Sequence, residues 1–340
     1  MFDMKQAINK VVKGDDLNID ESKDVCRQLL GGGATKAQIG SFLTALRMKG
    51  ETLDEIVGCA SVMQEKAETL DLNDDSYIDF VGTGGDGTNT FNISTTAAFV
   101  AAGAGVKIAK HGNRAISSKS GSIDVLEHLG INVMLEAEQV KKCFENVGIG
   151  FMFAQIFHKS MKEVGQVRRE LGMRSIFNIL GPLSNPSGAK SQVIGVFSRG
   201  LTKTFAQAMK AMGVKRALVV NGEDGMDEIT ITGKTYIAEI KDGKIREYTI
   251  SPEDFKIKKA GKRDIVGGNA EENSRDTIGI LNGSIKGAKR DIVCFNAGAA
   301  IYIAGIADSI ADGIKFAEKS IDEGKAFEKL KEVSEITNKL

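Results

Sequence analysis

The segment Tyr77-Ile78-Asp79-Phe80-Val81 runs directly into Gly82-Thr83-Gly84-Gly85-Asp86-Gly87. The first five residues are typical of a short strand, and the glycines that follow are typical of a tight turn. Ser94–Gly105 then has the small and apolar residues of a buried helix, and Val106–Ala109 has the pattern of a second strand. Strand, turn, helix and strand in this order predict two parallel strands joined by a helix.

The same alternation continues along the chain as far as residue 220. The predicted elements are a helix over Ile123–Leu129, a strand over Ile131–Leu135, a helix over Ala137–Val147, a strand over Gly150–Phe153, a strand over Gln192–Phe197, a helix over Leu201–Met212 and a strand over Arg216–Val220. Strands that alternate with helices at this spacing predict a mainly parallel sheet with helices on both faces. We therefore expect an α/β fold for this part of the chain.

Residues 1–70 have the pattern of helices alone. Thr35-Lys36-Ala37-Gln38 and Thr52-Leu53-Asp54-Glu55 both fit a capping box, and apolar residues recur after each of them at helical spacing. Gly31-Gly32-Gly33 separates two of these helices. The N-terminal region is therefore predicted to be a small helical bundle.

Later regions depart from the alternation. Lys159–Asn178 is predicted to be helical, with Leu180-Gly181-Pro182 as its stop signal. Ile229–Ile250 contains three strand-like runs, and Asp242-Gly243 predicts a hairpin turn between two of them. The C-terminal part predicts helices over Ser274–Leu281, Arg290–Ala307 and Ile310–Leu340.

The length of 340 residues is sufficient for one large domain and one smaller domain. We expect a small all-helical domain over residues 1–72, joined by the helical excursion 159–182, and a large α/β domain over residues 73–340.

Charge and cysteine usage limit the possible functions. The 45 basic residues balance the 45 acidic residues, and a zero net charge argues against nucleic-acid binding. The cysteines lie far apart without metal-binding spacing, which predicts reduced thiols and a cytoplasmic location. They are Cys26, Cys59, Cys143 and Cys294.

Two apolar runs are the longest in the chain. Ala97–Val106 and Ile292–Ala307 are both shorter than the roughly 20 residues that a membrane-spanning helix needs. Asn296 also interrupts the second run. We therefore expect no association with a membrane.

The glycine turn begins a stretch that contains no acidic residue between Asp86 and Asp124. Glycines let backbone N–H groups approach a ligand closely, and a helix N-terminus favours anions. The stretch therefore predicts a site for a phosphate-bearing ligand. Four basic residues fall within it: Lys107, Lys110, Arg114 and Lys119.

Two common phosphate motifs do not apply here. Gly82, Gly84 and Gly87 match G-x-G-x-x-G, but a dinucleotide site needs an acidic residue about 20 positions further on, within the acid-free stretch. No GKS or GKT sequence is present, which excludes a Walker loop. Ser94 is also compatible with a simple helix cap, and Asp86 with a turn former.

Three further clusters suit anionic substrates. Lys110-His111-Gly112-Asn113-Arg114 is predicted to follow a strand, and open parallel sheets bind ligands at the carboxyl ends of their strands. Asp227-Glu228 offers the hard oxygen ligands that Mg²⁺ prefers. Arg168, Arg169 and Arg174 are candidates for gripping a carboxylate. A solvated basic loop, an acidic surface loop and solvated arginines remain open alternatives from spacing alone.

Together these motifs resemble those of the anthranilate phosphoribosyltransferase family. The matching segments are Gly82–Asp86, Asn92–Thr95, Lys110–Arg114, Ser120–Ser122 and Asp227-Glu228, with Val167–Gly172 and Phe177–Pro182. The resemblance covers the whole chain and implies a nucleoside phosphorylase/phosphoribosyltransferase-like fold. The chain lacks prolines that the family often has within Phe153–Lys159, a stretch that the resemblance places beside the acceptor entrance.

The resemblance implies transfer of the phosphoribosyl group of 5-phosphoribosyl 1-pyrophosphate (PRPP) to the amine of anthranilate, a step of tryptophan biosynthesis. It also implies a homodimer formed through the helical domain. The implied PRPP-binding residues are Gly82, Gly85, Asp86, Thr90, Asn92, Ile93, Ser94, Thr95, Lys110, His111, Gly112, Asn113, Arg114, Ala115, Ile116, Ser117, Ser118 and Ser122. The implied Mg²⁺ ligands are Ser94, Asp227 and Glu228, and the implied anthranilate-binding residues are Gly82, Asn113 and Arg168.

No general base is expected. An aromatic amine is already neutral and nucleophilic at neutral pH, and displacement at an anomeric carbon passes through an oxocarbenium-like state. The departing pyrophosphate needs charge stabilisation more than a proton. We therefore do not assign His111 as a base.

Two other functions are compatible with parts of the sequence. A pyrimidine nucleoside phosphorylase shares the architecture, but its glycine loop and basic motif differ from Lys110–Arg114. A nucleic-acid-binding relative without transferase activity fits poorly with the neutral charge and the intact Asp227-Glu228 pair.

Overall fold

The computed structural model describes residues 2–115 and 119–340. Its N-terminal region contains only helices, as predicted. They are α1 (Met4–Val12), α2 (Ile19–Leu30), α3 (Lys36–Lys49) and α4 (Leu53–Lys66). Both predicted capping boxes are present, because the Thr35 side chain accepts from the Gln38 N–H and the Thr52 side chain from the Glu55 N–H. These bonds satisfy N–H groups that the start of a helix leaves free.

The rest of the chain alternates strands and helices up to residue 222 and is mostly helical at its end. The strands are β1 (Tyr77–Gly82), β2 (Lys107–Gly112), β3 (Ile149–Phe153), β4 (Ser191–Gly195), β5 (Arg216–Gly222), β6 (Thr235–Lys241) and β7 (Lys244–Ile250). The helices are α5 (Ile93–Gly103), α6 (Ser122–His128), α7 (Ala137–Val147), α8 (Ala154–Phe157), α9 (Lys162–Leu171), α10 (Phe177–Leu183), α11 (Gly200–Ala211), α12 (Ala270–Leu281), α13 (Ala288–Ile303), α14 (Ile310–Asp322) and α15 (Lys325–Thr337). Short 3-10 helices lie at Lys159–Met161, Pro252–Phe255 and Lys262–Ile265.

The strands form one sheet in the order β3-β2-β1-β4-β5-β6-β7. β1 to β5 are parallel, and β6 and β7 are antiparallel additions at one edge. The predicted mainly parallel sheet is therefore confirmed. The chain runs from β1 outward to β2 and β3, and then returns to the other side of β1 as β4. Such a reversal opens a crevice at the carboxyl ends of the strands, where open α/β sheets bind ligands.

The two faces of the sheet are covered by different helices. On one face α5 is buried, and a Cβ atom added to Gly103 would lie 2.7 Å from the Ala326 nitrogen of α15, so the small residues of α5 permit close helix packing. On the other face, Val164 and Val167 of α9 share a buried cluster with apolar residues of α2 and α3. The segment that carries Arg168 therefore packs against the N-terminal bundle.

The strand predicted over Ile131–Leu135 is wrong. Ile131, Val133 and Leu135 are buried, as an alternating pattern requires, but the segment belongs to no strand. Its backbone is held instead by the C-terminal helix, because the Asn132 N–H donates to Thr337 Oγ1 at 3.2 Å. The alternating burial therefore comes from an extended segment that packs on a helix and has no neighbouring strand.

The helices predicted over long ranges are divided by glycines. The helix predicted over Ile310–Leu340 is two helices, separated at Gly324, where φ is +78°. The predicted helix Lys159–Asn178 likewise breaks after α9 at Gly172, where φ is +59°. A left-handed backbone is readily adopted only by glycine and ends a helix.

Three other boundaries differ from the predictions. Leu180-Gly181-Pro182 lies inside α10, which ends one residue later, since a proline near the end of a short helix removes only one hydrogen bond. β2 extends through Lys110, His111 and Gly112, so these residues belong to the strand and do not follow it. Ile229–Ile231 forms no strand, and only two strands are present between Ile229 and Ile250.

The hairpin prediction is confirmed. Asp242 and Gly243 join β6 to β7 with φ values of +50° and +69°, as a two-residue hairpin turn requires. All four cysteines are free and buried. None of the helices in the described ranges is long and apolar enough to cross a membrane.

Candidate active site

A cleft lies at the carboxyl ends of β1 and β2, beside the point where the strand order reverses, and the loop after β5 contributes Asp227 and Glu228 to it. Apart from Ile116, Ser117 and Ser118, which are outside the described residues, every predicted PRPP-binding residue lines this cleft, as do both predicted metal-binding carboxylates. These lining residues are Gly82, Gly85, Asp86, Thr90, Asn92, Ile93, Ser94, Thr95, Lys110, His111, Gly112, Asn113, Arg114, Ala115, Ser122, Asp227 and Glu228. The predicted acceptor ligand Arg168 is not among the lining residues.

The glycine loop after β1 leaves room for the carboxylate of Asp227. Gly84 and Gly85 have φ values of +66° and +70°, which a side chain would disfavour. The Gly84 N–H donates to Asp227 Oδ2 at 2.6 Å, and a Cβ atom on Gly82 would overlap the Asp227 carboxylate. The glycines therefore allow the loop after β5 to approach the end of β1.

The Glu228 side chain lies at the N-terminal end of α5. Its Oε1 accepts a hydrogen bond from the Ser94 N–H at 3.1 Å. Ser94 is the second residue of α5, so it is not the helix cap; that position belongs to Asn92, whose side chain makes no capping bond. The carboxylate therefore satisfies a free N–H at a positively polarised helix end.

Asp86 organises its own turn and also affects the acidic pair. Its carboxylate accepts from the Thr88 N–H at 3.1 Å. Its negative charge, after the larger effect of burial, raises the pKa of Asp227. The turn-forming role that the sequence left open is therefore present, together with an electrostatic role beside the cleft.

Burial raises the pKa of both carboxyl groups of the acidic pair. The pKa of Asp227 rises to about 7, and that of Glu228, where the Asp227 charge adds to burial, to about 8. Asp227 keeps more contact with solvent than Glu228, so we expect the smaller shift there. Burial lowers the pKa of Lys110, and the nearby carboxylates oppose that effect.

The donor atoms fit a hard divalent cation. Asp227 and Glu228 are buried acidic groups whose negative charge is not fully balanced by positive charge. The nearby Lys110 Nζ donates to the Phe80 carbonyl and lies 3.5 Å from Ser94 Oγ. Within residues 2–115 and 119–340 no group of three or more His, Cys, Asp or Glu is arranged to hold a metal. A cation here would complete its ligand shell with oxygen atoms of water or of a substrate, which is how Mg²⁺ is usually bound in proteins.

Arg114 lines the cleft but is engaged by α6. Its guanidinium forms ion pairs with Asp124 at 3.1 Å and with Glu127 at 2.6 Å. Both carboxylates therefore compete with any phosphate for this side chain.

Two buried histidines form one wall near the cleft. The rings of His111 in β2 and His158 after α8 lie 5.0 Å apart in an edge-on arrangement. Burial lowers the pKa of His111 well below its usual value and that of His158 to about 4, so both are neutral at neutral pH. The Nε2 atoms of both rings have no hydrogen-bond partner among the residues that the structure describes. A neutral buried imidazole of such low pKa is a poor general base, in line with leaving His111 out of that role.

Arg168 lies behind the cleft wall. Its guanidinium stacks 5.3 Å from the centre of the Phe177 ring, and Phe177 is adjacent to Asn178, which lines the cleft. Burial is the one cause that lowers the pKa of Arg168, and no carboxylate in the described ranges offsets it. A half-buried arginine without an acidic partner is suited to an anionic ligand.

The sequence interpretation did not assign two residues near the cleft. Arg174, between α9 and α10, donates to the Gly85 carbonyl at 2.9 Å and stacks 4.3 Å from the centre of the Phe197 ring. The sequence makes Arg174 a candidate for gripping a carboxylate, whereas in the structure it contacts the glycine loop. Asn178 lines the cleft, and its only signal in the sequence was its place within the motif Phe177–Pro182.

Comparisons with known proteins identify the same two parts of the chain. Residues 5–67 match the helical bundle domain of a glycosyl transferase family, and residues 74–327 match the α/β domain of that family. An anthranilate phosphoribosyltransferase of Acetivibrio thermocellus is 54% identical over 335 residues, which cover 98% of this chain and 97% of the relative.

Solved structures agree with that result. The anthranilate phosphoribosyltransferase of Thermus thermophilus superposes with a TM-score of 0.92 at 39% identity, covering 98% of this chain and 99% of that one. The Saccharomyces cerevisiae enzyme in complex with PRPP and Mg superposes with a TM-score of 0.92 at 28% identity, covering 99% and 98%. The chain belongs to the anthranilate phosphoribosyltransferase family.

Proposed function

We propose that this protein transfers the phosphoribosyl group of PRPP to the amine of anthranilate, with Mg²⁺, and releases pyrophosphate. The main observation in support of this proposal is that three features lie together in one cleft. The glycine loop, the start of α5 and the carboxylates Asp227 and Glu228 meet at the reversal of the strand order. A polyanionic donor needs both N–H donors and a cation, and this cleft offers residues for each.

On the donor side, we propose that the backbone of the glycine loop and the start of α5 bind the phosphates. Lys110 lies beneath them, where its buried ammonium group balances negative charge that develops on the pyrophosphate. Mg²⁺, held by Ser94, Asp227 and Glu228, would supply further stabilisation of that charge. No residue needs to remove a proton before the amine attacks, so positioning and charge stabilisation are the main contributions.

On the acceptor side, we propose that anthranilate binds between Asn113 and the Arg168–Phe177 stack. The Arg168 guanidinium would pair with the anthranilate carboxylate, and Gly82 would border the ring. The neutral His111 and His158 rings would keep this side free of competing positive charge. The expected result is an aromatic acceptor oriented with its amine toward the donor.

We further propose a cytoplasmic homodimer with a domain boundary near residue 72. The matches to the helical bundle and α/β domains end at residue 67 and begin at residue 74, which supports that boundary. Val12 and Met48 on the bundle are 67% and 83% exposed, and such apolar side chains suit a subunit interface.

One assay tests the proposed activity. Anthranilate fluorescence should decay only when PRPP and Mg²⁺ are both present. Replacing both acidic groups (Asp227→Asn with Glu228→Gln) should raise the half-saturating Mg²⁺ concentration at least tenfold. Glu223→Gln, which alters an exposed residue of the same loop, should leave it unchanged. Absence of decay, together with salt-sensitive retention on DNA, would favour the nucleic-acid-binding alternative.

A further inference from the structure

Asn296 is an amide in an otherwise apolar stretch of α13. It is 0% exposed, and its neighbours from Ile292 to Ile303 are all buried. Its side chain makes three hydrogen bonds. Oδ1 accepts from the Ile229 N–H at 2.9 Å, and Nδ2 donates to the carbonyls of Ile229 at 2.8 Å and Ile292 at 2.9 Å. A buried amide is tolerated because its polar atoms are satisfied in this way.

The residue that Asn296 holds is the one directly after the acidic pair. Both the N–H and the carbonyl of Ile229 bond to the same amide, as they would to a neighbouring strand. The amide therefore occupies both backbone groups through which Ile229 could pair with a strand. The side-chain clamp fixes the chain immediately beyond Glu228.

The other side of the loop is held by the ends of two strands. Gly82 ends β1 and Gly195 ends β4, and the two residues pair in the sheet. A Cβ atom on Gly195 would overlap the Asp227 carbonyl oxygen, and one on Gly82 would overlap the Asp227 carboxylate. The acidic pair is therefore fixed between the floor of the cleft and α13.

We infer that Asn296 is a positioning residue for the metal site, acting through the backbone of Ile229 to hold Asp227 and Glu228 in place for Mg²⁺. The inference rests on the proposed function of that acidic pair. Residues behind metal ligands typically change metal affinity by about 10–100-fold when they are replaced. Asn296 does not touch the cleft, so its replacement should leave the KM for anthranilate unchanged.

The test compares Asn296→Ala with Ser320→Ala. Ser320 is also a buried helix residue whose side chain bonds a backbone carbonyl, that of Val100 at 2.8 Å, but it lies on α14 and does not contact the acidic loop. Two quantities are measured: the half-saturating Mg²⁺ concentration for turnover, and the rise in melting temperature that Mg²⁺ causes without substrates. Asn296→Ala should raise the first by about tenfold or more and reduce the second. Ser320→Ala should change neither.

A second variant keeps the inference testable if Asn296→Ala does not fold. In Asn296→Asp, burial keeps the new carboxyl group protonated at low pH, so that its carbonyl accepts from the Ile229 N–H and its O–H donates to the Ile229 carbonyl. Its half-saturating Mg²⁺ concentration, divided by the wild-type value, should be close to one near about pH 7 and rise as the pH increases toward about 9. A simple loss of packing would not respond to pH in this way.

The outcomes separate the two proposals. If the wild type responds to Mg²⁺ and both Asn296 variants respond equally, Asn296 has no positioning role and the inference is overturned alone. If the wild type shows no response to Mg²⁺ in either measurement, the metal assignment itself fails and the inference falls with it. A weakened Mg²⁺ response with unchanged anthranilate KM supports both.

Discussion

Single residues define the chemistry of the cleft. For Arg168, the sequence suggested a role, but only the structure shows where its side chain lies. A basic residue on a helix is an unspecific signal, and the resemblance supplied its role. The structure adds that Arg168 is half-buried, stacked on Phe177 and without an acidic partner in the described ranges. Spacing could not indicate this, because the stack depends on how α9 meets α10 in three dimensions.

Replacing Arg168 should therefore affect one substrate more than the other. We expect Arg168→Ala to raise the KM for anthranilate by about 10–100-fold, since a hydrogen bond to a charged group contributes about 1.5–3 kcal/mol. The KM for PRPP should change much less. Steady-state kinetics with each substrate varied in turn measure both values, and Arg169→Ala on the exposed side of α9 is the control. Equal changes in the two KM values would refute the carboxylate role.

The raised pKa values of Asp227 and Glu228 predict how stability depends on pH. Both pKa values lie above those of the unfolded chain, so the stabilisation from these groups is fully present below about pH 4 and is lost as pH rises through about 7 and 8. Mg²⁺ binds the deprotonated pair and acts in the opposite direction. The rise in melting temperature at saturating Mg²⁺ should be about 2–5 °C at pH ~8.5 and near zero at pH ~6.

Differential scanning calorimetry at both pH values measures this effect. The double variant with Asp227→Asn and Glu228→Gln should show a flatter pH dependence and no Mg²⁺ effect. A Mg²⁺ effect of the same size at both pH values would contradict the assignment of the raised pKa values to the metal-binding pair.

At the scale of elements, short sequence motifs predicted the structure correctly where neighbouring residues alone determine the backbone conformation. The capping boxes at Thr35 and Thr52 and the turn at Asp242-Gly243 depend on neighbouring residues alone, and all three are present. Ile131–Leu135 failed because alternating burial does not reveal whether the partner is a strand or a helix. The helix ends at Gly172 and Gly324 were missed because a glycine inside a helical pattern is often tolerated.

The end of β4 is an element boundary whose function only the structure reveals. In Gly195→Ala the new Cβ atom would overlap the Asp227 carbonyl and push the acidic loop out of place. We expect a loss of about 1–3 kcal/mol of stability, as for other overpacked sites, together with a weaker response to Mg²⁺.

Thermal unfolding with and without Mg²⁺ checks both effects. Gly200→Ala is the matched control, because its Cβ atom would have 3.9 Å to the nearest Ser198 oxygen and α11 favours alanine over glycine. A Gly195→Ala protein that melts and responds to Mg²⁺ like the wild type would show that the loop can shift without consequence.

At the scale of the whole molecule, the alternation of strands and helices predicted a mainly parallel sheet but not the order of its strands. The order places β1 between β2 and β4, and this reversal creates the cleft. Between β3 and β4 the chain leaves the sheet and packs on the N-terminal bundle, which is a long-range contact. The residue pattern of a single helix or strand does not predict that packing. The sequence motifs were therefore sufficient to identify the PRPP-binding residues, but the contacts among those residues could be seen only in the structure.

Arg174 connects these two parts of the molecule. It follows α9, which packs on the bundle, and it donates to Gly85 of the glycine loop while stacking on Phe197 after β4. Because the contact restrains the loop proposed to bind PRPP, Arg174→Ala should raise the KM for PRPP by about three- to tenfold, less than the full effect of a hydrogen bond to a charged group because this contact is exposed to solvent. The KM for anthranilate should change less.

Steady-state kinetics on three variants decide this prediction. Arg174→Lys keeps the charge but loses the planar stacking, so its KM for PRPP should lie between those of the wild type and Arg174→Ala. Arg199→Ala removes an equally close cation–π contact, 4.0 Å from the centre of the Tyr236 ring and away from the glycine loop, and should leave the KM for PRPP unchanged. If Arg199→Ala and Arg174→Ala raised it equally, the effect would reflect a general loss of surface contacts rather than a restraint on the glycine loop.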